Sequence, residues 1–349
     1  VTGNGMLDYL VSNDTGNNIL FENDNKGFLF KSSLDDFNIL SADDAEGNYN
    51  AIWLDPDNDG DMDLYVTKCH VNASSFSDPR RLNLFFERMS DNSYVERASE
   101  WGLDHGDQSW CSASGDLDND GDTDILLLNH KTPIILLENV ESNSFVSHVN
   151  FTDRGELTGD EQQVVLADYN NDGLLDIFIF GFNDRLLLNS GNLQFEVYQN
   201  PIGAANAFSG AVGDLNNDGW LDVYAVYGTA DSGFNDRLWI NFGGNRNFLK
   251  LSLHGTQSNT QGIDSKIIVY GEWGMQQRYA KSGESYGITN SQNIHFGLGE
   301  YDSIDSLVCI WPSGVIDKYY DLEVNSHYLL TEGECIEPLL ELQANVPYL

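Results

Sequence analysis

The 349 residues carry 55 acidic against 17 basic side chains, a formal net charge of −38, with 41% hydrophobic and 12% aromatic residues. Such apolar and aromatic content excludes a disordered acidic tail and supports a sizeable core. The lack of a basic stripe argues against nucleic acid and against anionic membrane surfaces as partners, and there is no run of 18 apolar residues for membrane insertion.

In chain order, the first feature is an acidic turn, Asn4-Gly5-Met6-Leu7-Asp8, followed by an apolar stretch ending Asn18-Ile-Leu-Phe-Glu-Asn23. The opening Val1-Thr2-Gly3 has no basic or apolar leader and reads as a mature or trimmed fragment. A fuller version of the same turn follows as Asp55-Pro-Asp57-Asn-Asp59-Gly60-Asp61-Met-Asp63, then Arg81-Leu-Asn-Leu-Phe-Phe86. The unit recurs as Asp116-Leu-Asp118-Asn-Asp120-Gly121-Asp122-Thr-Asp124 with Pro133-Ile-Ile-Leu-Leu-Glu138. It recurs again as Asp168-Tyr-Asn170-Asn-Asp172-Gly173-Leu174-Leu-Asp176 with Arg185-Leu-Leu-Leu-Asn189 and the aromatic segment Phe195-Glu-Val-Tyr198. A last copy reads Asp214-Leu-Asn216-Asn-Asp218-Gly219-Trp220-Leu-Asp222 with Arg237-Leu-Trp-Ile-Asn241. The pattern is D-x-[DN]-x-D-G-x-x-D, and its glycines lie 61, 52 and 46 residues apart. A fixed period of this size signals a repeat architecture. Strand, loop, strand, crossing segment, strand, turn, strand gives four short strands per repeat, the size of one propeller blade. The expected fold is all-β: a β-propeller of four-stranded blades over residues 1–247, a small β domain over 248–335 and a C-terminal segment over 336–349.

The loop spacing predicts a cation site. Oxygens at positions 1, 3, 5, 7 and 9 can surround one ion while a glycine at position 6 makes the sharp turn. An EF-hand would also need flanking helices and a glutamate at position 12, where this chain has Val66, Leu127, Ile179 and Ala225. The β-branched and aromatic residues after each loop make it a strand-to-strand connection instead. The expected ligand set is Asp55, Asp57, Asp59, Asp61 and Asp63; Asp116, Asp118, Asp120, Asp122 and Asp124; Asp168, Asn170, Asp172, Leu174 and Asp176; and Asp214, Asn216, Asp218, Trp220 and Asp222. Hard oxygen donors in this number favour Ca²⁺ over zinc, copper or Mg²⁺. Positions 1, 3, 5 and 9 hold 14 carboxylates across the four loops, so about four Ca²⁺ would offset 8 of the 38 excess charges. At an affinity near 10⁻⁴ M and about 1 mM ion, each site adds about 1.4 kcal/mol of stability.

Four cysteines, Cys69, Cys111, Cys309 and Cys335, form an even set, and the favoured pairing is Cys69–Cys111 with Cys309–Cys335. Three Asn-x-Ser/Thr triplets, at Asn13, Asn72 and Asn150, match what chance supplies in a chain this rich in Asn, Ser and Thr, and decide nothing. His295 reads as a strand histidine rather than a general base, His70 as a strand-end residue, and Trp311 as core. Core packing is likewise the default for Trp110, Trp220 and Trp273, which could alternatively stack on sugars. No Ser-His-Asp order, H-E-x-x-H or phosphate-cradling glycine loop occurs, so no catalytic residue is assigned.

The repeats resemble the FG-GAP/VCBS repeats of integrin α-subunit propellers and bacterial secreted proteins. The segment after them carries Gln261-Gly-Ile-Asp-Ser265, Ile294-His-Phe-Gly-Leu-Gly299 and Trp311-Pro-Ser-Gly314. It resembles the ASPIC/UnbV domain that follows such repeats in the cartilage acidic protein family. The resemblance implies a secreted or cell-surface, calcium-binding protein with a protein or glycan partner in the matrix. One departure is Gly262-Ile-Asp264-Ser265, where the family has Gly-Ile-Gly-Ala. Another is that five repeats are visible, where seven blades are common. The first copy lacks its opening strand, so closure needs a strand from upstream, from residues 335–349, or from a neighbouring subunit, the last implying self-assembly. An adhesion or assembly module is the leading reading. A polysaccharide-binding lectin or polysaccharide-active enzyme is the alternative, and a calcium sensor ranks last because the loops join rigid strands.

Overall fold

The structure is a computed structural model that describes residues 4–24, 26–32, 46–70, 72–158, 161–199, 201–203, 207–228 and 235–339. Most of the expected C-terminal segment, residues 340–349, lies outside them. The one helix among the described residues is α1 (Ala98–Trp101), and every other element is a strand.

The first sheet joins β1 (Tyr9–Val11), β2 (Ile19–Asn23) and β3 (Leu29–Lys31). Three four-stranded sheets follow. The first holds β4 (Asn48–Leu54), β5 (Asp63–Lys68), β6 (Leu84–Arg88) and β7 (Tyr94–Glu96). The second holds β8 (Ser109–Gly115), β9 (Asp124–Asn129), β10 (Ile135–Val140) and β11 (Ser144–His148). The third holds β12 (Glu161–Ala167), β13 (Asp176–Gly181), β14 (Arg185–Asn189) and β15 (Phe195–Gln199). A three-stranded sheet of β16 (Ser209–Gly213), β17 (Asp222–Val226) and β18 (Arg237–Trp239) completes the series. Within each sheet the strands run in sequence order, so each repeat folds locally into an up-and-down meander. In the four later sheets the acidic loop lies between the first and second strands, and in the first sheet it precedes β1.

The second strands β5, β9 and β13 are buried along their whole length. Each therefore reads as a continuous apolar run rather than an alternating one. The two faces of β5 serve two cores. Leu64 and Val66 of β5 pack with Leu20 of β2, while Tyr65 packs with Ile125 and Leu127 of β9. A third core joins Phe178 and Phe180 of β13 to Val212, Val223 and Ala225 of the three-stranded sheet. Gly210 is required there, because a Cβ would stand 2.4 Å from the Phe180 ring.

From residue 247 the pattern changes. Strands β19 (Asn247–His254), β20 (Lys266–Gly271), β21 (Gly274–Tyr279), β22 (Ile294–Gly299), β23 (Ser306–Ile310), β24 (Ile316–Tyr319), β25 (Ser326–Thr331) and β26 (Glu337–Pro338) form two sheets. Their orders are β22-β19-β25-β26 and β21-β20-β23-β24, and β19 pairs with β25 in parallel. Leu249, Leu251, Phe296 and Leu330 of one sheet share a core with Ile267, Val269, Leu307 and Cys309 of the other. The chain as a whole forms two compact units, Val1–Ser114 with Asp122–Val164 and Glu284–Tyr286, and Gly115–Gly121 with Val165–Gly283 and Gly287–Leu349.

All four cysteines are free, which corrects the expected pairings. Cys111 is fully buried and gives its thiol hydrogen to the Gln162 carbonyl. Cys309 is fully buried inside the two-sheet core, whereas Cys335 is exposed. Burial pushes the Cys69 thiol up to about 11 and the Cys111 thiol to about 12, so neither is a ready thiolate. Trp311 packs in the core as expected, with Nε1 donating to Asp317 Oδ2 at 2.8 Å.

The Gly262–Ser265 turn keeps the backbone that a glycine would supply. Asp264 sits at φ +73° and its N–H donates to the Ala280 carbonyl at 2.7 Å. A side chain in the left-handed region costs about 1 kcal/mol. Asp264→Gly is therefore expected to raise stability by about 1 kcal/mol, read as a higher denaturant midpoint at unchanged slope.

Candidate metal centres

All four acidic loops share one backbone. The position-6 glycines Gly60, Gly121, Gly173 and Gly219 have φ between 84° and 97°, and the position-4 residues Asn58, Asn119, Asn171 and Asn217 have φ between 56° and 60°. Asparagine is the residue that tolerates the left-handed region best after glycine. The position-1 carboxylate then caps the turn. Asp168 Oδ1 and Oδ2 accept from the N–H groups of Asp172 and Gly173 at 3.1 and 2.7 Å. Asp116 and Asp214 make the same pair of bonds in their own loops.

The position-9 aspartates bolt the loop to the third strand. Asp63, Asp124, Asp176 and Asp222 each accept through Oδ1 from the N–H of Arg88, Asn139, Asn189 and Asn241 respectively, at 2.6–2.9 Å. Asp8 of the first copy accepts likewise from Asn23. The side chains of these same asparagines reach the position-2 carbonyl of the preceding loop: Asn139 to Pro56, Asn189 to Leu117 and Asn241 to Tyr169.

The position-4 asparagines add a second set of ties, which the sequence reading missed although all four loops carry one. Asn58 donates to Asp122 Oδ1 at 3.0 Å, Asn119 to the Gly173 carbonyl at 3.1 Å, and Asn171 to the Gly219 carbonyl at 2.9 Å. Each asparagine therefore reaches the loop that follows its own.

In two loops the carboxylates converge. One oxygen each from Asp55, Asp57 and Asp59 lies within 4.8 Å of the others, and the same holds for Asp116, Asp118 and Asp120. The buried Asp61 Oδ1 and Asp63 Oδ2 of loop 1 accept no hydrogen bond. Buried carboxyl oxygens left over in this way are what a hard cation satisfies. Loops 3 and 4 have Asn170 and Asn216 at position 3, and so offer fewer charges. The residues present fit an oxygen-ligated cation, and Asp55, Asp57 and Asp59, and Asp116, Asp118 and Asp120, are the side chains best placed to hold one.

The electrostatics agree. Burial first, then Asp172, raises Asp168 to about 7. Burial also raises Asp116 to about 7, with Arg278 opposing and Asp120 reinforcing it. Burial and then Asp59 lift Asp61 to about 6, and burial lifts Asp63 to about 9. Converging carboxylates in a poorly solvated turn resist ionisation.

The C-terminal strands reach three of the loops within the second unit. Gln277 of β21 donates to the Gly121 carbonyl at 3.0 Å, and the Gly299 N–H to the Asn171 carbonyl at 2.8 Å. Gly297 must lack a side chain, since a Cβ would lie 2.1 Å from Asp168 Oδ2 and 2.4 Å from the Asn171 Cα. His295 Nε2 faces the Gly219 carbonyl at 3.1 Å, so this nitrogen carries the hydrogen. Burial depresses the ring to about 4, making it a neutral structural donor, as the sequence reading favoured.

Comparison with known proteins gives these parts names. FG-GAP-like repeats are matched at residues 116–179 and 168–225, and the ASPIC and UnbV family at residues 255–337. The chain carries FG-GAP-like repeats and an ASPIC and UnbV domain. It is similar to cartilage acidic protein 1 of Xenopus tropicalis, 27% identical over 253 residues covering 67% of this chain and 38% of that protein. The human protein of that name is 26% identical over 250 residues, covering 66% of this chain and 37% of its own. The chain thus spans under two fifths of the curated relatives it matches. Among solved structures, the V. cholerae biofilm matrix protein Bap1 aligns at TM-score 0.35 and 12% identity, over 81% of this chain and 61% of that one. The Bacillus licheniformis rhamnogalacturonan lyase PL11 aligns at 0.37 and 12%, over 82% and 56%. At these scores neither carries a fold or an activity across to this chain.

Two outcomes are expected. Asn171→Ala loses both the inter-loop bond and the left-handed preference and costs about 2 kcal/mol, while Asn171→Gly keeps the backbone and costs about half as much, measured by denaturant unfolding. Second, aspartates with folded pKa values above 3.8 bind more protons folded than unfolded, so stability falls as pH rises. Chelator-treated protein should lose roughly 5 °C of Tm between pH 5 and pH 8, and added divalent ion should abolish that loss.

Proposed function

We propose that this chain is an extracellular interaction module of matrix or cell surface, in which Ca²⁺ at the FG-GAP-like loops is structural. In this reading residues 1–247 form blades of a β-propeller, residues 248–335 the ASPIC and UnbV domain, and residues 336–349 a terminal segment. The observation that carries the calcium reading is the convergence of Asp55, Asp57 and Asp59, and of Asp116, Asp118 and Asp120, each set within 4.8 Å. Support for the blades comes from three four-stranded meanders in chain order, the first two sharing a core with each other and the third sharing one with the three-stranded sheet after it. The extracellular setting draws on the similarity to proteins named for cartilage and acidity, together with the charge of −38. The partner is a protein or a glycan of the matrix, or a second copy of the chain.

One observation favours a glycan among these. Trp110 packs against Tyr49, His130 and Tyr286 with ring centroids 4.6–5.3 Å apart, and Tyr286 is exposed. The rings meet tilted or edge-on, at 43–73°, which leaves the exposed Tyr286 as the aromatic surface open to a sugar ring.

The decisive experiment is thermal unfolding with chelator, with Ca²⁺ and with Mg²⁺ at about 1 mM, where each occupied site adds about 1.4 kcal/mol. A Ca²⁺-specific rise in Tm of several degrees supports the reading, and identical melting in all three buffers rejects it. A glycan array with Tyr286→Ala as control separates the partner classes: binding lost in the variant supports a glycan, and no binding by either supports a protein partner.

A further inference from the structure

Loop 4 carries a buried lysine on its first carboxylate. Lys250 of β19 is 1% exposed, and its Nζ lies 2.9 Å from Asp214 Oδ2 and 3.1 Å from Asn217 Oδ1. Both side chains of the Lys250–Asp214 pair are almost wholly out of solvent. The ammonium therefore contacts positions 1 and 4 of the loop, one of them an expected metal ligand and the other the asparagine that in loops 1 to 3 ties to the next loop.

The rest of loop 4 is satisfied in the same way. Asp214 Oδ1 accepts from the Asp218 N–H, and Asp214 Oδ2 from the Gly219 N–H as well as from lysine. Asn216 turns its Nδ2 onto Asp218 Oδ2 at 2.8 Å and its Oδ1 onto the Asp218 N–H, so the amide bridges the gap an ion would span. Asp218 Oδ1 takes the Trp220 N–H, and both oxygens of Asp222 take backbone N–H groups. Positions 1, 3 and 5 hold two carboxylates here against three in loops 1 and 2, and one of the two is neutralised by lysine.

We infer that Lys250 is the resident cation of loop 4, which the ASPIC and UnbV domain supplies to an FG-GAP-like loop in place of a divalent ion. The inference rests on the calcium reading of loops 1 to 3. Physically, a dication entering loop 4 meets an ammonium within hydrogen-bond reach of its first ligand. Expelling that ammonium would strand a buried charge, which costs more than a weak extracellular-range site supplies. Lysine also joins two elements 36 residues apart, so the loop is held against β19 whether or not Ca²⁺ is present. In the calcium reading, loops 1 and 2 are the ones left to solution cations, with Arg278 acting on Asp116 in addition.

The test counts bound ⁴⁵Ca²⁺ by equilibrium dialysis on the full chain after chelator treatment. Wild type is expected to bind at most three ions. Asp120→Asn in loop 2 should lose one, and Asp218→Asn in loop 4 should lose none. Lys250→Met should gain one, melt below wild type in chelator, and regain that loss on addition of Ca²⁺. A site lost in Asp218→Asn, or no gain in a folded Lys250→Met, overturns the inference. Asp218→Asn alters a loop carboxylate rather than the core and decides the matter should Lys250→Met not fold. If wild type binds no ion at any loop, the calcium reading fails separately, and Lys250→Met then decides alone: a gained site upholds lysine as the blocking cation, and none refutes it.

Discussion

The structure depends on one electrostatic constraint: carboxylates must gather at each acidic turn to shape it, and their charge must then be compensated. The turn needs its aspartates for stereochemical reasons. Position 1 caps the N–H groups of positions 5 and 6, position 5 caps position 7, and position 9 fastens the third strand. Replacing any of them with an apolar residue would orphan backbone donors in a buried place. The acids thus do structural work even before any ion is considered, and their density creates the demand for a cation.

That demand is met differently along the chain. Loop 1 has an aspartate at every odd position and two buried oxygens that accept no hydrogen bond. Loop 3 substitutes Asn170, whose Oδ1 accepts from Arg246 Nη1 at 2.8 Å. Loop 4 substitutes Asn216 and receives Lys250. These two basic side chains, Arg246 and Lys250, come from the point where the repeats give way to the last eight strands, in a chain with only 17 such residues. A protein this acidic gains most from a positive charge placed where carboxylates are least solvated, and 2.9 Å from Asp214 is such a place.

Much of this was legible in the residues, and what was not has physical reasons. The loops were readable because the nine residues that shape each turn are contiguous in the sequence. The four-strand repeat was readable because β-branched and aromatic runs follow each loop at the same distance. The position-4 asparagines were in plain view in all four copies. They were passed over because position 4 is not a ligand position, and a bond to the next loop has no local signature. The same holds for Gly297, whose necessity comes from Asp168 and Asn171 more than 120 residues away. Parallel pairing of β19 with β25 spans 77 residues and leaves no mark on either strand alone. The cysteine pairing failed because an even count carries no geometry, and Cys111 and Cys309 proved to be buried strand residues. Asp264 stands where the resemblance expected glycine, and the turn nevertheless retained the left-handed backbone.

The central claim, that cations at the converging loops hold the repeats in place, is tested most directly by amide hydrogen exchange with and without Ca²⁺, resolved to peptides covering each loop. The account predicts that removing Ca²⁺ deprotects the amides of residues 57–61 and 118–122, and of the adjoining strands β5 and β9, while residues 214–222 keep their protection. Equal protection in all four loops under both conditions would contradict it.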